Sequence, residues 1–204
     1  MQDCCDAGSS AETLKERQRG TLLAVLAINA VMFVVIVVAA YAAQSKALLA
    51  DSLDNLGDAL TYGLSLIAVR RGATAKAKVA LVKGLLILLA ALFVAGQIVY
   101  RLTNPQVPEY EIMGAFSLLA LVANAACLWL LWRHRDEDIN MSSVWECSRN
   151  DIAANVSVFL AAGAVWLFDA GWPDLAVAAG LVLLLLRSAV RVISAAVREL
   201  RAPA

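Results

Sequence analysis

The chain has 204 residues, of which 61% are hydrophobic and 17% charged, and its 17 basic residues balance its 17 acidic ones. A water-soluble domain holds roughly 45–50% apolar and about 25% charged residues, so the composition argues against a soluble globular protein, and zero net charge argues against a nucleic-acid partner. The charges gather in short clusters, and apolar runs fill the intervals between them.

Residues 1–19 read as a polar N-terminal tail on the cytoplasmic side, with Cys4, Cys5 and Asp6 near its start. Adjacent thiols suit soft metal ions, which makes Cys4 and Cys5 accessory candidates for metal capture; the bland reading is a tail with idle thiols. Residues 20–204 read as a single membrane domain. Its apolar runs are Thr21 to Ala43, Ala47 to Val69, Val79 to Tyr100, Ile112 to Trp132, Val144 to Phe168 and Leu175 to Ile193. Each approaches the ~20 residues with which a helix crosses a ~30 Å hydrocarbon core. The predicted fold is all-α, a polytopic membrane protein of six transmembrane helices.

Basic residues in short loops set the expected orientation. Lys15, Arg17 and Arg19 precede the first run; Arg70, Arg71, Lys76 and Lys78 separate the second from the third; Arg133 and Arg135 follow the fourth; Arg187, Arg191, Arg198 and Arg201 close the chain. The alternate loops hold little beyond Lys46 and Arg101, and Asp169 with Asp174 makes the last of them acidic. Both termini are therefore expected in the cytoplasm, with the chain integral to an inner or plasma membrane of bacterial type. A long first apolar run after a polar start does not fit a cleaved signal peptide. The four cysteines fall in the tail and in helices, which does not suggest a disulfide framework.

The second run carries the chemistry. Asp51, Asp54 and Asp58 are spaced by three and then four, which puts all three on one helical face. A charged side chain at the bilayer centre costs at least ~2.5 to 3.5 kcal/mol on insertion scales, so three on one helix call for a polar partner or a bound cation. Cys147 and Asp151 are four apart in the fifth run. Where the two faces meet, Asp54, Asp58, Cys147 and Asp151 supply the four ligands of a tetrahedral divalent site, and oxygen with one thiolate suits zinc or cadmium better than magnesium or calcium. Asp51 lies nearer the membrane edge and is an accessory candidate. The bland reading has the aspartates cap helices or line the polar end of a bundle without binding anything, and makes Cys147 a small buried hydrophobe as expected for Cys127. Among the other polar groups, Lys83 is expected to reach back to the cytoplasmic surface. His134 reads as a solvated loop residue, Glu146 and Arg149 as a local ion pair, and Asn29, Asn124 and Asn155 as interhelical hydrogen-bonding groups or supports of the site.

The stretch Ser45-Lys-Ala-Leu-Leu-Ala-Asp-Ser-Leu-Asp-Asn-Leu-Gly-Asp-Ala59 resembles the second-helix signature of the cation diffusion facilitator family, and Trp145-Glu-Cys-Ser-Arg-Asn-Asp151 is similar to its fifth-helix signature. The resemblance covers nearly the whole chain. It implies metal ligands at Asp54 and Asp58 and at Cys147 and Asp151, with Asp51 at an acidic position that is not usually a ligand. Two departures stand out: Cys147 takes the place of the family's usual His, and the usual cytoplasmic C-terminal domain is missing.

What the resemblance implies is efflux of a divalent metal cation, zinc or cadmium, by proton-coupled alternating-access antiport. The partners are then the metal ions, protons as counter-ion, the lipid bilayer and a second copy in a homodimer, with the metal as cargo and no resident cofactor. The alternative class is an intramembrane aspartate-dependent or metal-dependent enzyme; it lacks a nucleophile with a nearby base.

Overall fold

The structure, a computed structural model, describes residues 3–68, 73–132 and 139–201, with the side chains of residues 19–63, 77–78, 80–132 and 151–201. Six helices account for nearly all of them: α1 Asp3–Ala43, α2 Lys46–Ala68, α3 Ala73–Thr103, α4 Tyr110–Trp132, α5 Ile139–Phe168 and α6 Trp172–Arg201. No strand occurs among the described residues. The all-α polytopic fold expected from the apolar runs is the one formed. Its first helix starts well before the first apolar run, because α1 is continuous from Asp3.

Among the described residues, five helices hold stretches long and apolar enough to cross a bilayer: Arg19–Ala43, Ala80–Thr103, Tyr110–Trp132, Asp151–Phe168 and Trp172–Arg201. The exception, α2, has the length at 23 residues but carries Lys46 and three aspartates. Its position in the bundle explains how such a helix is tolerated. It packs against α1, α3, α5 and α6, and every side chain from Ser45 to Leu53 is buried. The exposed large hydrophobics, such as Val38, Leu89, Val122, Leu160 and Leu183, come from the other five helices and, at Val107, from the α3–α4 loop, and none of the described side chains of α2 is among them. Apolar faces that water would reject are thus turned outward to lipid, and the polar helix is sheathed by its neighbours.

One end of the bundle is tied by hydrogen bonds. Helix α1 ends with Gln44 at φ 54°; Ser45 N donates to Ala40 O at 3.0 Å and Gln44 N to Tyr41 O at 3.3 Å, the paired bonds of a Schellman turn. A non-glycine residue is disfavoured at this φ, and Arg101 holds it there, donating from Nη2 to both Gln44 O and Gln44 Oε1 at 3.1 Å. Asp174 then closes the start of α2 from α6. Its carboxylate accepts from Ser45 Oγ at 2.5 Å, Lys46 N at 2.7 Å and Ala47 N at 3.0 Å, while Ser45 Oγ itself accepts from Leu48 N at 3.0 Å. Lys46 Nζ donates to Gln97 Oε1 of α3 at 3.2 Å. The turn between α5 and α6 comes so near the α3–α4 loop that a Cβ on Gly171 would sit 2.3 Å from Gln106 O, so only glycine fits. Gly84 serves likewise between α3 and α6, where an added Cβ would lie 2.7 Å from Ile193 Cγ1.

Candidate metal centre

Helix α2 brings its carboxylates inward because its buried side follows the 51, 54/55, 58/59, 62 register of one helical face. Asp58 lies toward its C-terminal half, and its carboxyl meets that of Asp151 from α5 within hydrogen-bond reach. Tyr62 OH, one turn on, donates to Asp58 Oδ2 at 3.2 Å. Asp54 lies between Asp51 and Asp58, near enough to both for their charges to act on it. Two helices of opposite direction therefore bring four carboxyl groups near one another inside the bundle.

The second rung between these helices is neutral on one side. Asn155, one turn after Asp151, donates from Nδ2 to Asp51 Oδ1 at 2.8 Å, and Asn124 of α4 donates to Asn155 Oδ1 at 3.2 Å. All three residues are buried, Asp51 completely, and Asp51 Oδ2 has no hydrogen-bond partner among the described residues. The asparagines thus form the interhelical bonds expected of them. Asn29 of α1 also points inward, donating to Val25 O at 3.0 Å and facing Cys127 Sγ at 3.8 Å. Cys127 is buried among Leu22, Val25, Tyr62 and Leu131, the packing role foreseen for it.

Lys83 of α3 turns toward α2, donates to Thr61 Oγ1 and lies near enough to Asp58 for charge attraction; Thr61 and Asp58 share a face of α2 and offer it an acceptor and a counter-charge. Asp174 differs from its reading as an acidic loop residue, since its carboxylate is buried as the cap of α2. Nothing in the local sequence distinguishes it from Asp169; its partner segment lies 128 positions away.

Cys147 falls on α5, four residues before Asp151, and its side chain lies outside the described residues, as do those of Cys4, Cys5, Glu146 and Arg149 and the whole of His134. Among the described residues, no three of His, Cys, Asp and Glu approach as closely as a bound metal requires. Asp58 and Asp151 are brought together; Asp54 and Asp51 stand beside them on α2 without closing a cage.

Residues 22–201 match the family model described as the cation efflux transmembrane domain. No curated protein matches the chain significantly.

Proposed function

The chain belongs to the cation efflux family, whose members are metal cation transporters, and from that premise we propose that it exports a divalent cation, zinc or cadmium, from the cytoplasm in exchange for protons. The ligands are Asp54 and Asp58 of α2 and Cys147 and Asp151 of α5. The observation that carries this reading is the meeting of Asp58 and Asp151 inside the bundle, on a helix that its neighbours shield from lipid. Two carboxyl groups in hydrogen-bond contact require a shared proton or a cation between them. That is the chemistry of an exchanger: metal binding releases protons, and protons displace metal from the same oxygens.

In this reading both termini face the cytoplasm, and the end tied by Asp174, Ser45 and Arg101 faces outward. Rocking of helices exposes the site to one side at a time. The working unit is a homodimer held through its membrane helices. Cys4 and Cys5 serve as an accessory trap for soft metal at the entrance.

Metal-by-metal uptake into inside-out vesicles tests the proposal. Zinc or cadmium should accumulate in vesicles holding the protein and stay at background in vesicles without it. Equal traces for every metal in both preparations would remove the transport reading.

A further inference from the structure

Resting on this reading of the site, we propose that Asn155 is a positioning residue for metal binding: it ties α5 to α2 through Asp51, one turn from the ligands, by a bond that does not depend on the metal. The geometry supplies two rungs between the same pair of helices. On α5 they are Asp151 and Asn155, four residues and ~6 Å of rise apart; on α2 they are Asp58 and Asp51.

The rungs differ in what they need. Asp58 and Asp151 are ligands in this reading, so the contact between them changes as the cation enters and leaves. The Asn155 amide is a permanent donor to Asp51 Oδ1 at 2.8 Å, and it is itself held in orientation because its carbonyl accepts from Asn124 at 3.2 Å. That amide is 1% exposed. When the cation leaves, the first rung weakens and the second persists, so α2 and α5 keep the register at which the ligands face one another. A site preorganised in this way binds its cation without re-forming the helix pair on each cycle.

The role of Asp51 is then that of an acceptor, not of a ligand. This separates the proposal from one in which Asp51 binds the metal directly. An exchange of the pair, Asp51→Asn with Asn155→Asp, keeps a donor facing an acceptor across the two helices and leaves an oxygen at position 155 for Asn124, while moving the carboxylate from α2 to α5.

The experiment is cadmium titration of the full chain in lipid nanodiscs, by calorimetry, for wild type, Asn155→Leu, Asn124→Leu and the exchanged pair. Residues that orient metal ligands are commonly worth about 10- to 100-fold in affinity; Asn155→Leu should therefore weaken cadmium binding at least tenfold, Asn124→Leu should weaken it less, and the exchanged pair should recover most of the loss. Unchanged affinity in Asn155→Leu overturns the proposal, as does an exchanged pair no better than Asn155→Leu, which would make the Asp51 carboxylate itself the requirement. Should Asn155→Leu fail to insert, unchanged affinity in Asn124→Leu overturns it equally. Absence of cadmium binding by the wild type would instead overturn the site beneath it.

Discussion

Asp174 caps a helix to which it does not belong: from the first turn of α6 its Oδ2 accepts the Lys46 backbone N–H at 2.7 Å, and its Oδ1 accepts from Ala47 N and Ser45 Oγ. A helix start leaves N–H groups without partners, and the head of α2 is buried among its neighbours, so the protein itself must satisfy them. A neighbouring carboxylate therefore replaces water at the head of α2, and fixes where the helix that bears the aspartates begins.

Asp174→Ala is accordingly expected to destabilise the protein by about 2 kcal/mol or more, since it removes a cap and leaves buried donors unpaired. Asp174→Asn, which keeps one acceptor oxygen and turns an NH2 toward the same donors, should lie between. The check is the thermal midpoint of the detergent-solubilised chain. A midpoint for Asp174→Ala equal to wild type would show that the cap carries no weight.

Transport should be abolished in Asp58→Ala with the protein still inserted in the membrane. Loss of one ligand in four removes several kcal/mol of metal affinity, while the desolvation cost of a buried carboxylate offsets what its hydrogen bonds add to stability. Asp51→Asn is expected to be far milder, because the new side chain still offers an oxygen to Asn155. Zinc and cadmium flux in vesicles of matched protein content distinguishes them; undiminished flux in Asp58→Ala, or equal loss in Asp51→Asn, would show the ligands of α2 to be misassigned.

Much of this site is legible in the sequence, for a physical reason. Insertion cost makes intramembrane aspartates conspicuous, and their spacing of three and four puts Asp51, Asp54 and Asp58 on one face whatever the rest of the fold does. The partners are harder to read. Asn155 and Asn124 are neutral amides in apolar helices, and whether they bond each other, Asp51 or backbone depends on which helices touch. Lys83 looks like any basic residue near a membrane edge until α3 is set against Thr61 and Asp58. Asp174 and Asp169 read alike as loop acids, and only the tertiary arrangement makes one of them a buried cap.

Close packing of α3 on α6 yields a test of the fold itself. Gly84→Ala gains helix propensity worth ~1 kcal/mol, yet its Cβ would fall 2.7 Å from Ile193 Cγ1 and 3.4 Å from Ile193 N. Overpacking of this kind costs ~1–3 kcal/mol, so a net loss of stability is expected. Ile193→Ala in the Gly84→Ala background should restore part of it, a coupling that a double-mutant cycle of thermal midpoints measures. Additive effects would place the two helices farther apart.

Exchange makes a prediction about energy supply. Protons and metal compete for the same carboxylates, so metal affinity should fall as pH falls, and an inward-directed proton gradient should accelerate export. An ionophore that collapses the gradient should slow it. Flux indifferent to the ionophore would contradict proton coupling while leaving the metal site in place.

Cys147 decides which metal the site prefers. Thiolate is a softer ligand than imidazole, so a site with Cys147 beside Asp54, Asp58 and Asp151 should favour cadmium over zinc more strongly than one with a histidine there. Cys147→His should move the preference back toward zinc. Cys147→Ser keeps nearly the same size and gives up the soft donor, so cadmium transport should suffer more than zinc transport. The opposing arrangement has Cys147 packed against a neighbour and the metal resting on three aspartates, an all-oxygen set that suits manganese better than cadmium. Titration of wild type and Cys147→Ser with cadmium, zinc and manganese separates the two: a selective loss of cadmium affinity in Cys147→Ser makes the thiolate a ligand, and equal cadmium affinity in both proteins removes it from the site.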